Sequence, residues 1–350
     1  MKNFAAARPG SRSRPPDPCD ERKVRRAGLE QDGIEITRPR PDEGGASREV
    51  YIDSDNALGS PRGDVDDGFA IAALLASGLP VAALGSTFGN TAETLAFENN
   101  RTLASLCGYE GPLLRGAAGP DPVPTEASRF LSAWPGPVRI VALGPLTNIA
   151  SALESEPSAG ARWSEVVAVG SSSTSRGRWP PWWPHEFNLT KDRRAAAIVF
   201  ESRVPLTLVP LDVARRLSIA QADLDSLPGP LGERLRMGSR RWLLRARVLR
   251  LSRSFPVRDL VAALYVLEPS AFDLEIRGAR FHPYGWVEYR AGGREVRLIR
   301  GFERDRLWRL FLDNVDSSER AHLGARAPLQ VRMAEAAPSG PSSQPDASRT

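Results

Sequence analysis

The sequence predicts an α/β protein whose central sheet is mostly parallel and is covered by helices on both faces, as in an open, Rossmann-like sheet. Two observations support this. Strand segments alternate with helical segments, and the strands are almost continuously apolar, which is typical of strands buried on both faces. The block with this pattern, residues 49–333, contains 285 residues, a length that suits one large domain.

The alternation starts with a short strand and an apolar helix that opens with two acids and ends at a glycine. Later segments repeat the strand and helix order. The predicted elements are strands at 49–53, 80–87, 139–144, 165–170 and 204–212 and helices at 66–78, 95–107, 146–154 and 193–202. Past residue 217 the pattern is mainly helical, with a late hairpin predicted at 294–299 after two glycines.

The two ends of the chain, 1–48 and 334–350, are rich in Pro, Gly and charged residues, and we predict that both are disordered. The net charge is +5, but residues 1–48 hold eleven Lys/Arg against eight Asp/Glu, so most of the excess is in a basic tail. The core shows no basic-aromatic interleaving, which argues against a nucleic-acid partner. No apolar run is long enough for a membrane helix or a signal peptide, so the expected location is the cytoplasm.

Five aspartates fall within fifteen residues around the end of the first strand and the start of the first helix. Asp53 and Asp55 end the strand, and Asp64, Asp66 and Asp67 precede or open the helix. Such carboxylates repel one another unless a cation lies among them, and oxygen ligands favour Ca²⁺ or Mg²⁺. Asp66 and Asp67 could instead simply cap the helix, but capping does not explain the acids at the strand end.

Four further segments share an order and character with this acidic motif. They are Gly89-Asn90 with Asn99 nine residues on, the GPLTN segment at 144–148, Glu186-Phe187-Asn188 with Asp192 four residues later, and Arg258-Asp259 at the start of a late helix. Together they resemble the inosine/uridine-preferring nucleoside hydrolase family, over residues 49–315. The resemblance implies that fold, a small-molecule nucleoside substrate and a homo-oligomer, either dimer or tetramer.

The family resemblance also implies Ca²⁺-dependent hydrolysis of an N-glycosidic bond, with one Ca²⁺ at the bottom of the pocket beside the ribose hydroxyls. The resemblance implies that Asp55 is the general base and a metal ligand, and that Asp67, Asp259 and the Leu143 carbonyl are further metal ligands. It implies that Asp66 binds a ribose hydroxyl and that Asp53 is a supporting carboxylate. It also implies that Asn90, Glu186 and Asn188 bind the sugar. The chemistry agrees with these residue types, because an oxocarbenium-like transition state needs an activated water and anionic or amide groups nearby.

The sequence departs from the family pattern in the metal loop and at the leaving group. Ten residues, 56–65, replace a three-residue loop, so Asp64 could take the role given to Asp66, and Arg62 could meet an anionic substituent or remain a solvated surface residue. Arg258 stands where many relatives have a histidine. It stays protonated and can act only electrostatically, so His185 is the candidate proton donor, although a packing or surface role is the commoner one for a lone histidine.

Three tryptophans, Trp179, Trp182 and Trp183, precede the predicted sugar-binding residues. They could stack on a nucleobase, with Trp182 and Trp183 as the candidate contacts, or form an apolar interface patch. Thr147 and Asn148 are expected to cap the helix after GPLTN. The alternative functions are a ribosyl-binding protein that has lost catalysis and a phosphohydrolase that uses Asp53 or Asp55 as nucleophile, since an acidic pair after a first strand also opens that chemistry.

Overall fold

The computed structural model describes residues 36–37, 49–60, 63–174, 187–249 and 252–326, and it confirms the predicted α/β fold. The strands are β1 (Ile36–Thr37), β2 (Val50–Ser54), β3 (Val81–Ser86), β4 (Leu113–Leu114), β5 (Val138–Ala142), β6 (Trp163–Val169), β7 (Leu206–Val209), β8 (Ser218–Ala220), β9 (Ser254–Pro256), β10 (Phe272–His282), β11 (Trp286–Tyr289) and β12 (Arg294–Phe302). The strands β8 and β9 pair only with each other, and the rest form one sheet.

The helices lie between these strands, and those predicted from the sequence end within about two residues of the observed bounds. They are α1 (Asp66–Ala76), α2 (Glu93–Leu106), α3 (Glu126–Ala133), α4 (Thr147–Ser155), α5 (Asn188–Lys191), α6 (Arg193–Glu201), α7 (Leu211–Ala214), α8 (Gln221–Asp225), α9 (Gly229–Leu249), α10 (Arg258–Leu267) and α11 (Arg304–Arg326). None of the helices in the described ranges is both long and apolar enough to cross a membrane.

The main sheet has the strand order β1-β10-β12-β7-β6-β5-β2-β3-β4, with β11 paired to β10. The strands from β12 to β4 run parallel, whereas β10 is antiparallel to β1, β11 and β12. Three features differ from prediction. The strands β8, β9, β10 and β11 lie where we expected mainly helix. The strands on either side of Gly292-Gly293, β11 and β12, each pair with β10 and, within the described ranges, form no hairpin with each other. Ile36–Thr37, inside the segment predicted to be disordered, pairs with Leu274 and Glu275.

The topology brings the strand end and two helix starts together. The strand β2 has β3 on one side and β5 on the other, so the order of the strands reverses between β2 and β5. Such a switch point forms a crevice at the carboxyl ends of the strands. On one face of the sheet, α1 packs beside α10, and both are apolar helices that open with acids. Because those acidic first turns lie at the crevice, the fold itself concentrates carboxylates there.

Candidate active site

Three aspartates from distant parts of the chain meet at the crevice. The side chains of Asp66, Asp67 and Asp259 are buried, and one carboxylate oxygen from each lies within 4.8 Å of the others. The first two open α1 and the third is the second residue of α10. Neither Asp66 nor Asp67 acts as the N-cap of its helix, since that position is Val65 and has no side-chain cap hydrogen bond. The prediction that these acids cap the helix is therefore wrong, although both lie in its first turn, where a negative charge favours the helix dipole.

Burial makes the charged forms of these carboxylates costly. It is the largest cause of a raised pKa for Asp55, Asp66, Asp67 and Asp259. The negative charge of neighbouring aspartates raises the pKa of each further, while the charge of Arg258 lowers the pKa of Asp66. The pKa of Asp55 is raised to about 7. A cluster of this kind holds its negative charge at neutral pH only if a cation compensates it.

Unpartnered oxygens show where such a cation fits. Within the described residues, Asp66 Oδ1 and Asp67 Oδ2 are buried and accept no hydrogen bond, and the nearby Thr87 hydroxyl is also buried without a partner. The other oxygen of Asp67 accepts a hydrogen bond of 2.6 Å from Ser54 Oγ, which fixes that carboxylate. An all-oxygen donor set with free lone pairs suits a hard dication such as Ca²⁺.

Asp55 lies beside this group and is held by Asn90. The backbone N–H of Asn90 donates a hydrogen bond of 2.6 Å to Asp55 Oδ2, and the side-chain Nδ2 of Asn90 donates to Asp55 Oδ1 at 3.3 Å. Asp55 is close enough to Asp67 for its negative charge to raise the pKa of Asp67. The structure thus brings the predicted base into contact with a predicted metal ligand. Asn90 binds the base here, so its contact with a sugar stays a prediction.

Two glycines from the predicted motifs leave room for Asp55. A Cβ atom on Gly89 would lie 1.9 Å from Asp55 Oδ2, and one on Gly144 would lie 3.2 Å from Asp55 Cβ and 2.7 Å from Thr87 Cγ2. Real Cβ atoms essentially never come within 3.0 Å of another heavy atom, so a side chain in place of Gly89 would displace the Asp55 carboxylate, and one in place of Gly144 would displace the Thr87 methyl group and crowd Asp55. The glycines of both the Gly89-Asn90 and GPLTN segments therefore have a steric reason.

The Leu143 carbonyl and Asn188 also meet at this end of the sheet. Leu143 directly follows β5, and its oxygen accepts a hydrogen bond of 2.6 Å from Asn188 Nδ2, which also donates to the Val169 carbonyl at 3.2 Å. Asn188 was predicted to bind the sugar. In the structure it links the ends of β5 and β6, and a carbonyl with two lone pairs can accept this bond and still ligate a cation.

Asp53 contacts a different set of residues. Its Oδ1 accepts hydrogen bonds from Tyr51 OH at 3.1 Å and from Asn148 Nδ2 at 2.9 Å. Burial raises its pKa to about 7.

The prediction that Thr147 and Asn148 cap their helix is wrong: Thr147 Oγ1 donates to Asp192 Oδ2 at 2.8 Å, and Leu146 is the N-cap.

The extended metal loop packs against the domain. Ala57 and Leu58 are fully buried, Asn56 binds Asn100, and Arg234 Nη2 from α9 donates to the Leu58 carbonyl at 3.3 Å. Asn99 Nδ2 donates to the Asn56 carbonyl at 2.9 Å; Asn99 was noticed in the sequence only as part of a motif, and Asn100 was not singled out. Their structural use, holding the backbone of this loop, could not be inferred without knowing that α2 lies beneath it.

Asp64, at the end of the loop, forms an ion pair with Arg258. Arg258 Nη1 lies 3.1 Å from Asp64 Oδ2 and 4.0 Å from Asp66 Oδ2, while the backbone amide of Arg258 donates to Asp66 Oδ2 at 3.1 Å. The loop and the start of α10 are thereby joined beside the cluster. Arg258 is turned toward carboxylates, so it adds one positive charge to a strongly acidic site.

Several predicted site residues lie outside the described residues. These are Trp179, Trp182, Trp183, His185 and Glu186 in one segment and Arg62 in the metal loop. Their roles on the base, the sugar and the leaving group stay predictions. The predicted ligands Asp55, Asp67, Asp259 and the Leu143 carbonyl all lie at the same crevice, together with Asp66.

The fold and site define an α/β protein with a buried cluster of carboxylates, which could hold a cation, at the switch point of a parallel sheet. The chain belongs to the inosine-uridine preferring nucleoside hydrolase family, whose profile matches residues 50–309. It is 32% identical over 193 residues to the pyrimidine-specific ribonucleoside hydrolase RihA of Salmonella arizonae, covering 46% of this chain and 61% of that protein. The aligned region thus spans about three fifths of this curated relative.

Solved structures agree on the fold. The plant nucleoside hydrolase PpNRh1 superposes with a TM-score of 0.67 at 21% identity, covering 76% of this chain and 98% of that one. The purine-preferring ribonucleoside hydrolase from Gardnerella vaginalis gives a TM-score of 0.66 at 16% identity, covering 78% and 99%. Relatives that are named for pyrimidine and for purine substrates both match, so the likeness does not assign a base.

Proposed function

We propose that this protein hydrolyses the N-glycosidic bond of a ribonucleoside, or a close ribosyl derivative, to free base and ribose, with Ca²⁺ as cofactor. One observation carries the proposal. In a chain of the nucleoside hydrolase family, the adjacent Asp66 and Asp67 meet Asp259 from a distant part of the sequence, with one oxygen from each within 4.8 Å of the others, and Asp66 Oδ1 and Asp67 Oδ2 are buried without a hydrogen-bond partner. Asp55 would hold the ion with Asp67, Asp259 and the Leu143 carbonyl, and the geometry offers Asp66 as well.

When bound, the ion supplies Lewis acidity that lowers the pKa of water and a positive charge that orients ribose hydroxyls. Asp55 accepts a proton from the attacking water. The two donors of Asn90 hold its carboxylate in one orientation, which lowers the entropic cost of reaching the reactive geometry. Burial raises the pKa of Asp55 to about 7 in the absence of the ion, and a bound cation would lower it, so the carboxylate would be charged and able to accept a proton at neutral pH.

The leaving base departs with the glycosidic electron pair and needs a proton or a nearby positive charge. Arg258 keeps its proton at neutral pH, so it can stabilise developing negative charge but cannot protonate the base. His185 is the candidate donor. If Arg258 assists departure, Arg258→Ala should slow hydrolysis of nucleosides far more than that of p-nitrophenyl riboside, whose leaving group needs no such help; equal losses would contradict the role.

The test of the proposed function is a substrate panel with and without metal. The purified full chain is incubated with uridine, cytidine, inosine, adenosine, their monophosphates and p-nitrophenyl riboside, in EDTA and after adding back Ca²⁺, Mg²⁺ or Zn²⁺. Free ribose and base should appear with Ca²⁺ and disappear with EDTA. Phosphate release would indicate a phosphohydrolase instead, and tight nucleoside binding without turnover would indicate a binding protein.

Asp55→Ala provides the matched control for that panel. It should lower kcat by several orders of magnitude while the thermal unfolding transition survives, because it removes the base without touching the apolar core. Unchanged turnover would remove Asp55 from the proposed mechanism. Cytoplasmic location and homo-oligomerisation stay predictions from the sequence.

A further inference from the structure

A second concave site lies away from the carboxylate cluster, between α6 and the hairpin strands β10 to β12. Its cavity is about 640 Å³, within the range of roughly 300–1,000 Å³ that is typical of small-molecule sites. Phe200 and Phe281 line it with their rings 5.4 Å apart, and both are largely buried. The cavity therefore combines an apolar wall with the charged residues described next.

Positive charge dominates the lining. One acid, Glu201, lines the cavity against five arginines: Arg193, Arg194, Arg280, Arg290 and Arg294. Arg194 has an acidic partner outside the cavity, Glu154, at 2.7 Å. In the described part of the chain, Arg193, Arg280 and Arg290 form no ion pair. Like charges gathered in a concavity raise the local potential and attract anions.

One of the five arginines is fixed by the backbone. Arg294 donates through its two terminal nitrogens to the carbonyls of Val199 and Val204. Burial lowers its pKa to about 10, which leaves it charged at neutral pH. It places a positive charge, with no carboxylate partner among the described residues, between the end of α6 and the start of β12. The arrangement is thus partly built in advance rather than made only of solvated side chains.

We propose that this arginine-lined cavity binds a compact polyphosphate anion, either inorganic triphosphate or the phosphate chain of a nucleotide. The planar guanidinium pairs well with phosphate oxygens, and several arginines converging on one ligand suit several phosphate groups. The cavity is large for a single phosphate but only partly enclosed, with four of its five arginines exposed, and its size favours a small ligand over an extended polymer. This site is separate from the proposed hydrolytic site.

The test uses isothermal titration calorimetry of the full chain in EDTA, so that phosphate cannot bind through a metal. Tripolyphosphate and UTP should each bind with saturation, and raising NaCl from 50 to 300 mM should weaken both severalfold. UTP at least threefold tighter than tripolyphosphate would show that the nucleoside also binds. Equal affinities would show that the phosphate chain alone is recognised. Absence of saturable binding would overturn the proposal.

The variant pair Arg280→Glu/Arg290→Glu should weaken tripolyphosphate binding by at least tenfold. The matched control is Arg101→Glu/Arg320→Glu, which reverses two exposed helical arginines elsewhere and should change binding by less than twofold. Equal losses in the two proteins, or tighter binding of a twelve-nucleotide RNA than of UTP, would overturn the assignment. Nucleoside hydrolysis with Ca²⁺, measured in parallel, separates this result from the proposed function.

Discussion

Glu165, near the start of β6, and the aspartate cluster at the carboxyl end of β2 are both buried acidic sites, but the chain supplies cations to them very differently. Glu165 lies 3.1 Å from Arg139 and 3.2 Å from Arg297, and it also accepts hydrogen bonds from Thr207 and Tyr265. The cluster contains Asp55, Asp66, Asp67 and Asp259, with Asp64 at its margin, and Arg258 is the cation that contacts it within the described residues.

The difference shows how a structural acid can be distinguished from one kept for a ligand. At Glu165 both oxygens have partners, so the charge is compensated by the chain itself. At the cluster, Asp66 Oδ1 and Asp67 Oδ2 remain without partners, and the pKa values are raised. A buried charge without a partner destabilises the fold, and such groups are concentrated at functional sites, so the carboxylates of the cluster are those expected to bind a ligand.

The largest effect is expected from Asp67→Asn. It removes one negative charge from the metal group, and we expect kcat to fall by about 10³-fold or more, in line with losses on removing key electrostatic groups. In EDTA at alkaline pH, where the cluster must ionise without a cation, the same variant should unfold at a higher temperature than the wild type, because carboxylate repulsion decreases. Steady-state kinetics with Ca²⁺ and thermal unfolding in EDTA measure the two effects. Lower stability in EDTA would contradict the proposed lack of compensation.

Glu165→Gln should lower the stability of the protein and leave its kcat nearly unchanged, the opposite of Asp67→Asn. Loss of its charge leaves Arg139 partly buried without its partner, which should cost about 3 kcal/mol of unfolding free energy, near the low end for buried ion pairs because Arg297 is half exposed. Urea unfolding measures this cost, and kcat assayed below the unfolding transition should change less than twofold. A large loss of turnover in folded protein would mean that the two acidic regions are not functionally distinct.

Removal of the metal should make the unfolding free energy depend more strongly on pH. The folded pKa values of Asp53 and Asp55 are each about 7, above the ordinary value of 3.8, so the folded state binds more protons than the unfolded state between pH 4 and 7. Stability in EDTA should therefore fall as pH rises through this window, by up to about 1.4 kcal/mol per pH unit for each group. The decline should be smaller with Ca²⁺, which favours the charged carboxylates.

Urea unfolding at pH 5, 6, 7 and 8, with EDTA and with Ca²⁺, measures that slope. Asp53→Asn is the control, since Asp53 is bound to Tyr51 and Asn148 rather than to the cluster. It should reduce the slope by a similar amount under both conditions and leave the calcium-dependent part intact. Identical slopes with and without Ca²⁺ in the wild type would contradict cation binding by Asp55.

Local pattern predicted much of this fold and site. Apolar runs located β2, β3, β5, β6 and β7, and the acids at the end of β2 were expected to lie in the ligand crevice because the ends of parallel strands share one edge. The expectation that Asp259 joins them came from the family resemblance. The strand β10 was missed because charged residues such as Glu275, Arg277 and Arg280 interrupt its apolar pattern, and its partners lie far away in sequence.

Long-range polar pairs could not be predicted from the sequence. Asn148 looked like a helix cap because a local cap is the commonest use of such a residue, yet it bonds Asp53, 95 residues away. Likewise, the ion pair of Asp64 with Arg258 spans 194 residues. Such contacts depend on how α10 packs against α1, which the periodicity of either helix does not determine.

The smallest effects are expected at this last pair, where the chain partly compensates the cluster. Arg258→Met removes the opposing cation and should tighten Ca²⁺ binding severalfold while lowering stability in EDTA by about 1 kcal/mol, whereas Asp64→Asn should weaken Ca²⁺ binding severalfold. Calorimetric titration with Ca²⁺ measures the change in calcium affinity of each variant. A double-mutant cycle of unfolding free energies measures the coupling between Asp64 and Arg258, which should be about 1 kcal/mol for this partly buried pair. If both variants shifted calcium affinity in the same direction, Asp64 and Arg258 would act by shaping the loop rather than through their charges.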